Sequence, residues 1–318
     1  MIKTSLLRQY AEEFLVYKRN LGYLYESQEI YLFKYVSYAE KSCANVEYPT
    51  KVTVDTYLDT IKKSGSNLFA TTAVLREFSW YLKIRGFEEA YIIPPKTAPL
   101  PVPDPPYFFT EMEIAAFFEK LDTIEAHLSF KGREIVIPAI FRLLYCCGLR
   151  PKEARTLKCE NVHISDLYID VLQSKGPKSR RIFISHELAD YLKEYDSKIA
   201  ILYPNREYYF PGRDGFYSSA VISKNFRRFW WMAFPDFPKG SRPRAYDFRH
   251  HFAWANINKW AAEGLDVNAM IPYLMRYMGH QTVKETLYYF HFVPEFFPTY
   301  RELTKPLEDV IPEVCYEN

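Results

Sequence analysis

Two arginines stand in short motifs suited to anion binding: Arg150 in Gly148-Leu-Arg-Pro-Lys-Glu153, and Arg249 in Tyr246-Asp-Phe-Arg-His250. A guanidinium presents a planar fork of N–H donors that matches two oxygens of a phosphate. Two forks converging on one phosphodiester would stabilise the charge of a phosphorane-like transition state, which a metal-free site must do with side chains. Glu153 follows Arg150 by three residues, a helical spacing that lets it hold the guanidinium in place. Further titratable groups follow in order: Lys175 within Ser174-Lys-Gly176, His280 after Gly279, and Tyr289 nine residues beyond. Singly, each has an ordinary explanation. An arginine is most often half of a surface ion pair, a His after Gly can cap a helix, and one Tyr among 27 is most often core. The order and the gaps carry the signal.

Composition removes several other chemistries. The chain has 318 residues, 48% hydrophobic and 25% charged, an ordinary globular balance that suggests two domains. Only 11 glycines are present, and neither a Walker A nor a G-x-G-x-x-G motif occurs, so nucleotide-driven chemistry loses support. H-E-x-x-H and G-x-S-x-G are also absent. The five cysteines show no C-x-x-C spacing, which speaks against a disulfide framework or cysteine zinc site and fits a reducing cytoplasm. No signal-peptide core and no apolar run near the membrane-spanning length of about 20 is found, so no membrane is expected, and the missing motifs leave no cofactor or metal expected.

The elements that must position the motifs are legible from periodicity. Residues 1–93 read as four helices; Leu7, Tyr10, Phe14, Tyr17 and Leu21 line one face of the first, and Ile30, Phe33, Val36 and Tyr38 mark the second. Residues 94–106 hold seven prolines in thirteen positions, a stiff extended linker. Thr110-x-x-Glu113 is a capping box opening the next helix. An apolar helix over about 135–147 precedes Arg150, and Leu167–Val171 with Arg181–Ile184 flank Gly176-Pro177 as a hairpin. Helices are expected over about 186–200, 219–232, 247–263, 267–278 and 283–290, with Asp266 capping the helix that Gly279 ends. Residues 292–318 carry six acidic and two basic groups.

This ordered set resembles the tyrosine recombinases, or lambda-integrase family, and is most similar to the compact two-domain Xer-like enzymes and integrases of mobile elements. The resemblance covers nearly the whole chain. It implies a mainly α fold: a helical (SAM-like) core-binding domain over 1–93, the linker 94–106, and a mixed α/β catalytic domain with a small antiparallel sheet over 107–298. It further implies a C-terminal tail, 299–318, which in the family often docks on a neighbouring protomer, the alternative being a tail that packs on its own domain or stays disordered. By resemblance Tyr289 is the nucleophile that forms a 3′-phosphotyrosyl bond, and a phenol with a pKa near 10 leaves as readily as it attacks, so no ATP is needed. Tyr288 is the competing choice, and the nine-residue gap from His280 favours Tyr289. Lys175 would protonate the leaving 5′ oxygen, His280 would donate to a nonbridging oxygen, and Glu153 would support Arg150. The implied partner is duplex DNA at specific sites, bound by a homo-oligomer, a tetramer on paired sites, with room for accessory recombinase subunits.

The chain departs from the family pattern once: Tyr246 stands three residues before Arg249, where histidine is usual. Tyrosine is a poor general base near neutral pH, and His250 or His251 could compensate in part. Away from the catalytic set, net charge is only +2, but basic residues cluster locally. Lys178, Arg180 and Arg181 in the hairpin, with Arg227, Arg228, Arg242 and Arg244 further on, form an expected phosphate-binding surface. Two other functions remain open on this reading: relaxation of supercoils in the manner of a type IB topoisomerase, and a non-catalytic DNA-binding subunit.

Overall fold

The computed structural model describes residues 5–42, 46–65, 67–100, 104–128, 131–172, 179–213, 215–238, 242–280, 282 and 285. The chain divides into two compact units at Asp104/Pro105, inside the proline-rich segment.

The first unit is built from α1 (Leu6–Asn20), α2 (Glu26–Ser42), α3 (Lys51–Ser64) and α4 (Leu68–Ile84). Ser5, Thr50 and Asn67 cap α1, α3 and α4, their side-chain oxygens accepting first-turn backbone N–H groups. The buried stripe of α1 is Leu7, Ala11, Phe14 and Leu15. Phe14 packs on Tyr25, Phe78 and Tyr81, and Tyr17 meets Tyr81 at the margin. Tyr17 and Leu21, in phase by spacing, therefore remain exposed. On α2 the buried positions are Leu32, Tyr35, Val36 and Ala39, while Ile30 faces solvent. Arg76 donates to the carbonyls of Ile93 and Pro94, tying the start of the proline segment to α4.

The second unit opens with the Thr110 box: Thr110 Oγ1 accepts from the Glu113 N–H, and the Glu113 carboxylate accepts from the Thr110 N–H. This starts α5 (Glu111–Leu121), followed by α6 (Arg133–Cys147) and the short α7 (Pro151–Arg155). Then come β1 (Val162–His163), β2 (Tyr168–Val171) and β3 (Arg180–Phe183), a three-stranded antiparallel sheet in the order β1-β2-β3. Its register pairs Ile169 with Ile182, Asp170 with Arg181 and Val171 with Arg180. The hairpin is as expected; β1 was not, because two residues are too short to show alternation. A second ribbon, β4 (Pro211–Gly212) with β5 (Gly215–Phe216), lies between α8 (His186–Leu202) and α9 (Ser219–Ala233). The described chain continues with α10 (Asp247–Ala262) and α11 (Val267–Met278).

An aromatic core of Phe109, Phe117, Phe141, Phe226, Trp230 and Phe248 joins α5, α6, α9 and α10. A smaller cluster, including Ala253, Ile257, Ile271, Leu274 and Met278, packs α10 on α11. These contacts bring the ends of α6, α7, β3, α10 and α11 together.

Candidate active site

The site is assembled at helix ends. α6 closes on Gly148, with φ of +58°. A Cβ there would lie 2.6 Å from the Phe252 ring, so glycine is needed both for the left-handed turn and for the close approach of α10. That approach delivers Arg249, which is 1% exposed. Its Nη1 donates to the Gly148 carbonyl at 2.8 Å and its Nη2 to the Met278 carbonyl at 2.6 Å. The C-terminal carbonyls of α6 and α11 lack intrahelical partners and carry partial negative charge, which favours a cation placed there.

Arg150 forms the N-cap of α7, with Pro151 in the first helical position. Its backbone N–H donates to Glu153 Oε2 at 2.9 Å and its Nη1 to Oε1 at 2.8 Å, so the three-residue spacing acts as expected. Arg150 Nη2 donates to the Gly279 carbonyl at 3.2 Å, placing the two arginines on successive carbonyls at the end of α11. Gly279, with φ of +67°, ends that helix, and the His280 N–H donates back to the Met275 carbonyl. Burial, then the charges of Arg249, Arg150 and Arg180 and the nearness of His250, push the His280 imidazole down to about 3. It is neutral at pH 7, one ring nitrogen donating and the other accepting.

Tyr246 lies half exposed at the start of α10, its ring 5.1 Å from that of His250. Burial and the neighbouring Arg244 and Arg249 push His250 down to about 4. His251 is pushed down to about 4 by burial and sits among Phe109, Tyr145 and Trp254. Of the two histidines, His250 accompanies Tyr246 and His251 belongs to the core. Because all three folded-state pKa values lie below the unfolded value near 6.5, the unfolded chain binds more protons in acid. Stability is expected to be full above about pH 6.5 and to fall as pH drops toward 4, before most carboxylates titrate. Thermal melts across pH 7.5 to 4.5 test this, and a flat melting temperature over that interval would contradict it.

The expected DNA-facing cations are placed differently from one another. Arg227 and Arg228 are exposed on α9, and Arg242 is exposed ahead of α10. Arg244 pairs with the buried Asp247, and Arg181 pairs with Asp170 while lying 3.7 Å over the Tyr168 ring. Arg180 points the other way from Arg181. Side chains alternate across a strand, and Arg180 falls on the inward side with Ile182, its guanidinium donating to Glu153. Its side chain is 7% exposed and lies beside Glu153 and Arg150. Lys175, Lys178 and Tyr289, with the tail 299–318, lie outside the described residues. Among the described residues no group of three or more His, Cys, Asp or Glu side chains is placed to hold a metal, and no helix is long and apolar enough to cross a membrane.

Known proteins are similar to this chain in sequence and in fold. The phage integrase family profile matches residues 108–295. The Sinorhizobium fredii protein y4rE, an integrase/recombinase by name, is 24% identical over 299 residues, covering 89% of this chain and 91% of the relative. A tyrosine recombinase of Pseudothermotoga lettingae is 23% identical over 253 residues, covering 77% of this chain and 79% of the relative. The fold is shared with the Tn1549 transposon integrase solved with circular intermediate DNA, at a TM-score of 0.59 and 16% identity over 96% of this chain and all of that one. The chain belongs to the phage integrase family. It is a tyrosine-type site-specific DNA recombinase, and neither the topoisomerase nor the binding-only alternative is favoured.

Proposed function

We propose that the chain cuts and rejoins specific duplex sites by attack of Tyr289 on a phosphodiester held by Arg150, Arg249 and His280. The observation that carries this reading is the convergence of both guanidinium groups and a neutral imidazole on one helix end. Fixed cations at that point stabilise negative charge as it develops on the nonbridging oxygens, without reorganisation during the reaction. The neutral His280 offers an N–H to the same oxygens. The Tyr246 hydroxyl bonds a phosphate oxygen in place of the usual histidine. Lys175 protonates the departing 5′ oxygen, the part its counterpart plays in the family. Attack transfers the 3′ phosphate to the Tyr289 oxygen as the 5′ oxygen leaves, and the reverse attack by a 5′ hydroxyl of the partner strand reseals the duplex.

In this reading residues 1–93 and the catalytic domain each bind the duplex, with 94–106 as the connecting linker. Four protomers act on two sites, linked by their tails, in the cytoplasm. The test is a supercoiled plasmid carrying the DNA ends that flank the chain's own gene. A covalent protein–DNA adduct is expected, with recombination between two sites. Cleavage is expected to persist in EDTA without ATP, and binding to weaken steeply with salt as counterions are released. A strict Mg²⁺ requirement in single-turnover cleavage would contradict the mechanism.

A further inference from the structure

Arg180 on β3 is 7% exposed at its side chain, and every nitrogen of its guanidinium is used in a directed bond. Nη1 donates to Glu153 Oε1 at 3.0 Å, Nη2 to Glu153 Oε2 at 2.8 Å, and Nε to the Tyr277 carbonyl at 2.7 Å. Glu153 thus bridges two arginines: Oε1 accepts from both Arg150 Nη1 and Arg180 Nη1, and Oε2 from the Arg150 N–H and Arg180 Nη2. The guanidinium also fills the space beside Gly279, where a Cβ would lie 3.0 Å from Nη1 and 3.1 Å from Cδ. One side chain therefore touches the cap of α7 and the end of α11.

We infer that Arg180 is a positioning residue for strand cleavage: through Glu153 it fixes the guanidinium of Arg150, and through Tyr277 and Gly279 it fixes the turn that presents His280. This deepens the proposed function and rests on that reading. A buried ion triad is no better for stability than apolar side chains of equal volume, because desolvating three charges offsets their attraction. What it supplies is direction. A planar fork on a carboxylate sets angle as well as distance, and an ammonium on the same stem cannot reproduce it. Arg150 must meet a phosphate oxygen within tenths of an ångström, and a misplacement of about 1 Å can cost about 10²-fold in rate.

The strand position gives the inference a competitor that experiment can separate. Arg180 lies five residues after Lys175, so a disturbed β3 could act on the leaving-group acid instead of on Arg150. The variants are Arg180→Lys, which keeps the charge and loses the fork, and Glu153→Gln, which keeps the shape and loses the bridge. The substrate is duplex from the DNA ends flanking the gene, made with either an ordinary or a 5′-thio leaving group at the cut. Single-turnover adduct formation by the folded protein is expected to fall by about 10- to 100-fold in each variant, with binding little changed. The melting temperature is expected to fall in Glu153→Gln, where the guanidinium groups of Arg150 and Arg180 lose their anion. The double variant is expected to be little slower than either single one, since the two act as a unit. The 5′-thio substrate is expected to rescue Lys175→Ala but not Arg180→Lys. Wild-type rates in Glu153→Gln, equal losses in binding and rate, or thio rescue of Arg180→Lys would each overturn the assignment. No adduct with wild-type protein would overturn the reading beneath it.

Discussion

Tyr289→Phe is expected to abolish the covalent protein–DNA adduct while leaving site binding largely intact. The substitution removes one oxygen and keeps the ring. Hydrolysis by water at the same phosphate would yield free ends with no attached protein. The assay is denaturing electrophoresis of labelled duplex after a single turnover, beside a filter-binding measurement on the same DNA. Tyr288→Phe is the control. It tests the nine-residue spacing from His280 against a spacing of eight. Loss of the adduct in Tyr288→Phe, with retention in Tyr289→Phe, would move the nucleophile by one residue and break the nine-residue spacing from His280.

The second large effect concerns the two arginines, and the structure makes their variants differ. Arg150→Ala and Arg249→Ala are both expected to reduce cleavage by roughly 10²–10³-fold or more, the loss seen when one oxyanion donor is removed. Binding is expected to fall much less, since phosphate anchoring is spread over many cations. Arg249→Ala should also destabilise the fold. Arg249 donates to the Gly148 and Met278 carbonyls from a buried position, and a buried acceptor left without its donor costs about 1–3 kcal/mol. Arg150 is partly exposed, and its removal leaves the buried Glu153 with the Arg180 fork, so its melting temperature should change less. Single-turnover cleavage, binding and thermal melts on the two variants give the comparison. Equal losses of affinity and rate in both would make them ordinary phosphate anchors.

The histidines show how far a linear reading reaches. His250 and His251 are adjacent, and the spacing from Arg249 leaves both able to compensate for Tyr246. Packing separates them, because helical geometry turns His251 into the aromatic core formed by Phe109, Tyr145 and Trp254 and leaves His250 beside Tyr246. A similar limit applies to Arg180 and Arg181. In sequence they are two basic residues near a turn. Strand alternation sends the first to Glu153 and the second to Asp170. Alternation was a usable signal, since Ile182 marks the inward side, but it needed the strand's exact start.

The sequence by itself determined the order of helices, the hairpin, the capping box at Thr110 and the family set, because these depend on local periodicity, short-range hydrogen bonds and fixed gaps. It also paired Arg150 with Glu153, a contact of three residues that α7 makes within itself. The tertiary structure alone decided what each cation is bound to. Gly148 and Arg249 are 101 residues apart, and Arg150 and Gly279 are 129 apart, so no local rule joins them. Their meeting follows from α10 and α11 packing together through Ile257, Ile271 and Met278, and from the missing Cβ at Gly148 that admits Phe252. Burial of apolar surface brought the helix ends together, and the unpaired carbonyls and buried carboxylate at those ends then fixed the direction of each guanidinium.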